Sequence, residues 1–147
     1  MRIQTSRFGC IDAKQEDILV FPQGLIGFES SRHWIILPDP ENTDVAWLQS
    51  VAQPQVAMPV VSPRKFAPDY KACVSQRQLA TLKIRNQDRV FLFTVVSKTG
   101  KTLTINLRSP IIVNLTQRLA SQVITSENQP LALPISLGTS SGLKMAA

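Results

Sequence analysis

Turn-forming residues divide this chain into short segments, and this division limits its fold more than any other feature. Pro, Gly and Asn recur at intervals of roughly ten residues, and β-branched and aromatic side chains fill the segments between them. Long segments with the 3.6-residue period of a helix are missing, which argues against a parallel α/β sheet. Strands are predicted at residues 17–21, 34–37, 46–51, 56–61, 89–97, 103–107 and 111–114.

One hairpin is predicted in detail. Residues 90–96 are apolar except for Thr94, so this strand is expected to be buried on both faces or to lie in a barrel wall. Residues 102–107 alternate between polar and apolar, as a half-buried strand does. Thr99 and Gly100 provide the turn between the two strands.

The domain organisation follows from length and composition. The 147 residues suit one domain, which is predicted over residues 1–125 as a mainly β, compact, antiparallel β-barrel-like fold. One short helix is predicted at residues 75–84, with Ser75 as its N-cap. From Ser126 onward Ser, Gly, Thr and Ala dominate, so residues 126–147 are predicted to form a flexible tail with a docking stretch at 131–137.

Charge is distributed unevenly along the chain. The net charge is +6, but residues 1–60 carry four Lys or Arg against seven Asp or Glu, a net of −3. Residues 61–147 carry twelve against three, a net of +9. Such a basic half is typical of a surface that binds nucleic acid or an acidic protein, and equally of a solvated surface without a partner.

The sequence predicts a cytoplasmic protein. Cys10 and Cys73 lie far apart and form neither a zinc pattern nor a disulfide framework. The N-terminal residues lack the apolar core of a secretory signal. No apolar run approaches the roughly 20 residues that a membrane helix needs.

Residue patterns for catalysis are weak, so no enzyme activity, cofactor or metal is expected. His33 is the single histidine, and nothing near it in sequence supplies the third group that a Ser-His-Asp or Cys-His arrangement requires. Metal sites need clusters of His, Cys, Asp or Glu. Gly100, Lys101 and Thr102 match the end of a phosphate-binding loop, but Val95 stands where its first glycine belongs.

Nucleic-acid binding stays open as an alternative. Phe91 and Phe93 lie two residues apart on a predicted strand, with Arg89 and Lys98 at its ends. Aromatic platforms beside basic residues are typical of proteins that bind single strands. The same strand also reads as a barrel wall, in which case both rings belong to the core.

Five segments resemble motifs of the FliW family of flagellar assembly factors, in family order and over more than four-fifths of the chain. Residues 17–29, DILVFPQGLIGFE, resemble the family segment ITFPEGLPGFE. The other matches are residues 47–51 (WLQSV), residues 68–70 (PDY), residues 106–114 (NLRSPIIVN, similar to NLxAPIVxN), and Arg118, Gln122 and Val123, which fit the pattern R…QV.

The resemblance implies a mostly antiparallel β-barrel that binds other proteins. Family members bind the carbon-storage regulator CsrA, an RNA-binding translational repressor, and they bind flagellin. Flagellin and CsrA compete for such a protein, which couples flagellin translation to filament assembly. Direct nucleic-acid binding and membrane association are not expected on this interpretation. Members tend to be acidic, whereas this chain is basic overall, so its acidic first sixty residues are the candidate face for CsrA.

Candidate partner-binding residues come from these motifs. Glycines let the loop at residues 21–29 turn back tightly, and the three apolar side chains on it either cap the barrel or contact a partner. Polar or turn residues that a core does not require are further candidates. The predicted site comprises Gly24, Leu25, Ile26, Gly27, Phe28, Gln49, Asp69, Tyr70 and Asn106.

Overall fold

The computed structural model describes residues 1–125 and 128–137, which contain eleven strands, one α-helix and two 3-10 helices (Gln15–Asp17 and Pro63–Lys65). Each predicted strand overlaps an observed one, so the mainly β class is confirmed. The strands are β1 (Arg2–Thr5), β2 (Gly9–Asp12), β3 (Ile18–Val20), β4 (His33–Pro38), β5 (Val45–Ser50), β6 (Ala57–Val61), β7 (Val90–Thr99), β8 (Thr102–Ile105), β9 (Ile111–Asn114), β10 (Leu119–Gln122) and β11 (Leu133–Ile135), and the helix is α1 (Gln76–Ala80).

A ring of seven strands closes because the long strand β7 pairs with three neighbours. Its first four residues pair with β9, Thr94 and Val95 pair with β6, and its last four residues pair with β8. Strands β3 to β6 are antiparallel neighbours, β10 pairs with β9, and a parallel contact between Leu119 and Val20 joins β10 to β3. The predicted barrel is therefore confirmed. Closure gives each of these seven strands a paired neighbour on both sides for at least part of its length.

The barrel interior is filled by alternate residues of these strands. Leu19, Trp34, Leu48 and Val60 are at most 1% exposed and belong to one apolar cluster. Leu25 joins the same cluster from a turn and not from a strand. Burying side chains of this size stabilises the fold by about 1.5–3 kcal/mol each.

Three further apolar clusters cover the outside of the barrel. The hairpin β1–β2 packs on β4 through Ile3 and Ile35. Residues from the segment after helix α1 pack on β9 around Ile112. Strands β8 and β11, with Tyr70, cover β5, β6 and β7. Strands covered on both faces read as nearly continuous apolar runs, which explains the sequence of β7 from Leu92 to Val96.

The start of β7 departs from the predicted burial on both faces. Val90 is 41% exposed and Phe91 is 40% exposed. The reason lies in the register, because β6 pairs with β7 only from Thr94 onward, so one side of the first four residues has no neighbouring strand within the described barrel.

Helix α1 is shorter than the predicted 75–84. Ser75 is its N-cap, and the Ser75 Oγ accepts a hydrogen bond from the Gln78 backbone N–H at 3.3 Å. The segment that follows the helix cannot continue it, since Lys83 has φ +50°. Leu82 is fully buried, as expected, whereas Ile84 is 44% exposed.

Asn114 fastens the segment after the helix to the barrel. Its Nδ2 donates to the Leu82 carbonyl and to the Asp88 carboxylate, both at 2.9 Å. The Arg85 backbone N–H also donates to Asp88, at 2.9 Å. The hydrogen bond from Asn114, followed by that from Arg85, lowers the pKa of Asp88 below its ordinary value.

Acid is expected to weaken this connection. A carboxylate whose folded-state pKa is lowered stabilises the fold above its unfolded pKa, and that contribution is lost as pH falls through the folded pKa. Urea unfolding of the wild type should therefore show a loss of stability below about pH 4. Asp88→Asn should show less of this loss. Asp69→Asn, which removes one exposed carboxylate elsewhere, should retain it, and equal pH dependence in all three proteins would contradict the role assigned to Asp88.

The C-terminal segment contributes a strand beyond residue 125, the predicted end of the folded domain. Leu133, Pro134 and Ile135 pair with β8 as strand β11, and Leu137 is buried in the cluster that covers β5. Pro134 made this strand hard to predict, because proline lacks the N–H of a regular ladder. Residues 126, 127 and 138–147 of the predicted tail lie outside the described residues.

Candidate partner-binding site

The candidate site is built on three consecutive tight turns between β3 and β4. The Phe21 carbonyl accepts from the Gly24 N–H at 2.9 Å, the Leu25 carbonyl from the Phe28 N–H at 2.8 Å, and the Phe28 carbonyl from the Ser31 N–H at 3.0 Å. Gly24 and Gly27 have φ of +69° and +89°. Glycine adopts such values without steric cost, so Gly24 and Gly27 allow the chain to make these tight turns.

The turn divides its three apolar side chains between two roles. Leu25 is 1% exposed and closes the barrel interior. Ile26 is 58% exposed, and Phe28 is 37% exposed with its ring edge against Trp34, the centroids 6.4 Å apart. Ile26, Gly27 and Phe28 are called the apolar tip below. Both roles proposed from the sequence, barrel cap and exposed surface, are thus present on one turn.

Gln122 holds the apolar tip in place. Its Oε1 accepts a hydrogen bond from the Ile26 N–H at 2.9 Å, and its Nε2 donates to the Ser109 carbonyl at 3.2 Å. The Glu29 carboxylate accepts from the Gly27 N–H at 2.6 Å. The tip is consequently fixed both within its own turn and to the end of β10.

Asn106 and Tyr70 shape the loop that Gln122 contacts, residues 106–109. The Asn106 Oδ1 accepts from the backbone N–H groups of Arg108 at 2.9 Å and Ser109 at 3.3 Å. The Tyr70 hydroxyl donates to the Leu107 carbonyl at 2.6 Å. Burial raises the pKa of Tyr70 to about 12, so this hydroxyl keeps its proton at neutral pH.

The structure therefore connects most of the predicted site but gives its members different positions. Hydrogen bonds link the apolar tip through Gln122 to the loop that Asn106 and Tyr70 support. Gly24, Leu25 and Tyr70 are buried, and their contacts are internal. Asp69 is exposed at the edge of a shallow pocket beside Leu107.

Gln49 lies apart from this group. It is fully buried, and the two hydrogens of its Nε2 are shared among the carbonyls of Ser50, Val56 and Pro54, which lie 3.0, 3.1 and 3.2 Å from the nitrogen. These contacts hold the turn between β5 and β6. Gln49 contacts the protein's own backbone, so the proposal below does not use it for partner binding.

The predicted site does not include Trp34, Ser109 or Gln122, although Ser109 and Gln122 belong to family-like motifs. Trp34 supports the Phe28 ring, while Ser109 and Gln122 fix the turn. The one signal in the sequence is that Gln122 is an amide followed by the apolar residues Val123 and Ile124, where its hydrogen-bonding groups need partners.

The described residues contain neither a group of metal-ligand side chains nor a helix that could cross a membrane. Within residues 1–125 and 128–137, no three His, Cys, Asp or Glu side chains group as metal ligands would. In the same part of the chain, no helix has the length and apolar character to cross a membrane.

Comparisons with known proteins agree with the fold and the motifs. The FliW protein family model matches residues 2–135, which includes strand β11. The flagellar assembly factor FliW of Bdellovibrio bacteriovorus is 41% identical over 130 residues, covering 87% of this chain and 74% of that protein. The flagellar assembly factor FliW of Clostridium tetani is 33% identical over 138 residues, covering 92% and 95%.

A solved structure shows the same architecture. The crystal structure of a flagellar assembly factor FliW matches with a TM-score of 0.81 and 28% sequence identity, covering 93% of this chain and 96% of that one. The resemblance noted in the sequence is thereby confirmed at the level of family and fold. This chain belongs to the FliW family.

Proposed function

We propose that this chain is a flagellar assembly factor that binds flagellin and the regulator CsrA in the cytoplasm. Binding of this chain to CsrA relieves the repression of flagellin translation, and flagellin competes with CsrA for binding to this chain. The proposal rests on the family membership and on the function in the names of its relatives. The observation that supports a binding role most directly is the apolar tip, which is exposed and yet rigidly held.

The apolar tip has the properties of a binding anchor. Burying an Ile or Phe side chain that was exposed contributes about 1.5–3 kcal/mol. Hydrogen bonds from Ile26 N–H to Gln122 and from Gly27 N–H to Glu29 order the tip before a partner arrives. Association therefore loses less conformational entropy than it would with a flexible loop.

Acidic residues near the N-terminus are proposed to meet a basic partner. Asp12, Glu16 and Asp17 are exposed and line one pocket of about 330 Å³ that also contains Ile36 and Leu37. Such a surface complements a basic RNA-binding protein such as CsrA and speeds the encounter. The mechanism is mass action without chemical catalysis, because a repressor held here is withdrawn from its RNA.

Calorimetric titration with flagellin and with CsrA from the same organism tests this function. We expect saturable binding to each, a negative heat-capacity change from apolar burial, and a modest loss of affinity at high salt. Flagellin added first should reduce the heat measured with CsrA. Absence of binding to both proteins would contradict the proposal.

A further inference from the structure

A pocket lies on the outer wall of the barrel, where the parallel contact joins β10 to β3. Val20 pairs with His33 on one side and with Leu119 on the other, so these three side chains share one face of the sheet. Leu19 belongs to the barrel interior, so the neighbouring Val20 points outward. The pocket has a volume of about 410 Å³, a size typical of sites for small molecules, and is called the seam pocket.

The floor of the seam pocket is aliphatic. It is formed by Ile18, Val20, Val51 and Leu119, which are all half-buried. An aliphatic chain placed on this floor removes apolar surface from water on both partners, which favours its binding. The polar lining side chains, among them Gln15 and His33, stand around this floor.

Arg118 brings a positive charge to the rim of the seam pocket. Its Nη1 donates to the Gln15 carbonyl at 3.1 Å, and its own carbonyl accepts from the Val20 N–H at 2.9 Å. No ion pair of Arg118 occurs among residues 1–125 and 128–137. The guanidinium is therefore positioned by a neutral carbonyl, and it keeps donors for a ligand because it carries five N–H groups.

Acidic side chains near the seam pocket in sequence belong to a different surface. Glu16 and Asp17 follow Gln15, but they line the pocket of about 330 Å³ that also contains Asp12, and the two pockets share no lining residue. The Asp17 carboxylate accepts from the Lys14 N–H at 2.9 Å, within its own turn. Among the described residues, no carboxylate lines the seam pocket.

The backbone of Arg118 is a second sign that this side chain has a role. Its φ of +57° lies in the left-handed region, which is uncommon and strained for a residue that has a Cβ. Glycine would make the same turn without this strain. The turn alone thus does not explain an arginine here, whereas binding through its side chain does.

We propose that the seam pocket binds a small aliphatic carboxylate. The ligand's carboxylate accepts paired hydrogen bonds from the Arg118 guanidinium, whose planar fork matches two carboxylate oxygens. Its aliphatic chain lies on the floor around Val20 and Leu119. Sulfate or phosphate fits less well, because neither has an apolar part to cover this floor. The site shares no residue with the apolar tip, and the proposal does not depend on flagellin or CsrA binding.

Titration of the ¹⁵N-labelled full chain, followed by two-dimensional NMR, tests the proposal with three probes. Hexanoate supplies both the carboxylate and the chain, acetate lacks the chain, and hexylammonium reverses the charge. We expect hexanoate to shift the signals of residues 18–20, 33, 51 and 117–119 in a saturable way, and the other two probes to bind at least about fivefold more weakly. No saturable binding of hexanoate, equal binding of hexylammonium, or shifts confined to other residues would overturn the proposal.

A peptide that ends in leucine distinguishes a free acid from the C-terminus of another protein. With a free C-terminus it presents a carboxylate beside an aliphatic side chain, and its amidated form lacks that charge. Hexanoate should compete with the free-ended peptide if both use the seam pocket. Binding of this peptide without any binding of hexanoate would overturn the assignment to a small molecule.

Matched variants locate the binding. Arg118→Gln, which removes the charge, and Gln15→Glu, which adds a carboxylate beside it, should each weaken hexanoate binding by about fivefold or more. Lys98→Gln and Gln23→Glu make the same charge changes at exposed positions outside the pocket, so both should stay within about twofold of the wild type. Equal weakening by variants and controls would overturn the assignment.

Arg118→Gly separates ligand binding from folding. Glycine suits the left-handed backbone, so the melting temperature measured by circular dichroism should not fall. Hexanoate binding should nevertheless be lost with the guanidinium. A lower melting temperature together with unchanged hexanoate binding would show that Arg118 serves the fold alone and would overturn the proposal.

Discussion

Gly24→Ala is expected to lower the free energy of unfolding by about 2–4 kcal/mol, from left-handed backbone strain and overpacking together. Gly24 has φ +69°, and a Cβ at this position would lie 2.6 Å from both the Cα and the carbonyl oxygen of Glu29. Both contacts are to backbone, so no side-chain rotation relieves them. The turn must open, and Leu25 then leaves the barrel interior.

Gly27→Ala is the matched control for this substitution. Gly27 has φ +89°, but no heavy atom outside Gly27 and its two chain neighbours lies within 4 Å of the Cβ that alanine would add. The expected loss is therefore the backbone strain alone, about 1–2 kcal/mol. Urea unfolding followed by circular dichroism measures both variants, and equal losses would show that the approach of Glu29 to Gly24 is unimportant.

Trp34→Ala is expected to cost about 3–5 kcal/mol, as removal of a fully buried aromatic side chain does. Trp34 is 0% exposed and packs edge-on against Phe21 at 6.2 Å between ring centroids. Its Nε1 donates to the Ser31 carbonyl at 2.9 Å. A single domain has about 5–15 kcal/mol in total, so this variant should unfold at much lower urea concentration than the wild type.

Trp34→Phe separates the site role of this residue from its size. The smaller ring leaves the Ser31 carbonyl without its hydrogen-bond donor and reduces the packing contact with the Phe28 ring. Trp47→Phe is the control, because Trp47 is 2% exposed and donates to Asp39 at 2.8 Å but belongs to the cluster outside the barrel. Flagellin binding should fall in Trp34→Phe and persist in Trp47→Phe. The reverse order would contradict the support assigned to Trp34.

The sequence predicts the barrel well because strand patterns and turn residues are local signals. The turn at Gly24 and Gly27 follows from composition, since those residues permit the backbone that a tight reversal needs. The strand β10 was not predicted because the turn before it has no glycine to mark it. Arg118, with φ +57°, takes the left-handed position in that turn where glycine is usual.

The division of roles within the site depends on contacts between distant residues. Leu25 and Ile26 are adjacent and equally apolar, and Gln122, 96 positions away, fixes the N–H of the one that faces outward. Tyr70 turns inward because the Leu107 carbonyl, 37 positions later, accepts its hydroxyl. A polar residue in a motif indicates that a hydrogen-bond partner is needed, but the sequence does not show whether that partner belongs to the same chain or to another protein.

The proposal that the apolar tip is a binding anchor is tested most directly by titrating flagellin into Ile26→Ser and Ile84→Ser. Each variant removes one exposed Ile, so neither should unfold the protein. The account predicts that Ile26→Ser weakens binding by about tenfold or more and that Ile84→Ser stays within about twofold of the wild type. Unchanged affinity in Ile26→Ser, or an equal loss in both variants, would contradict it.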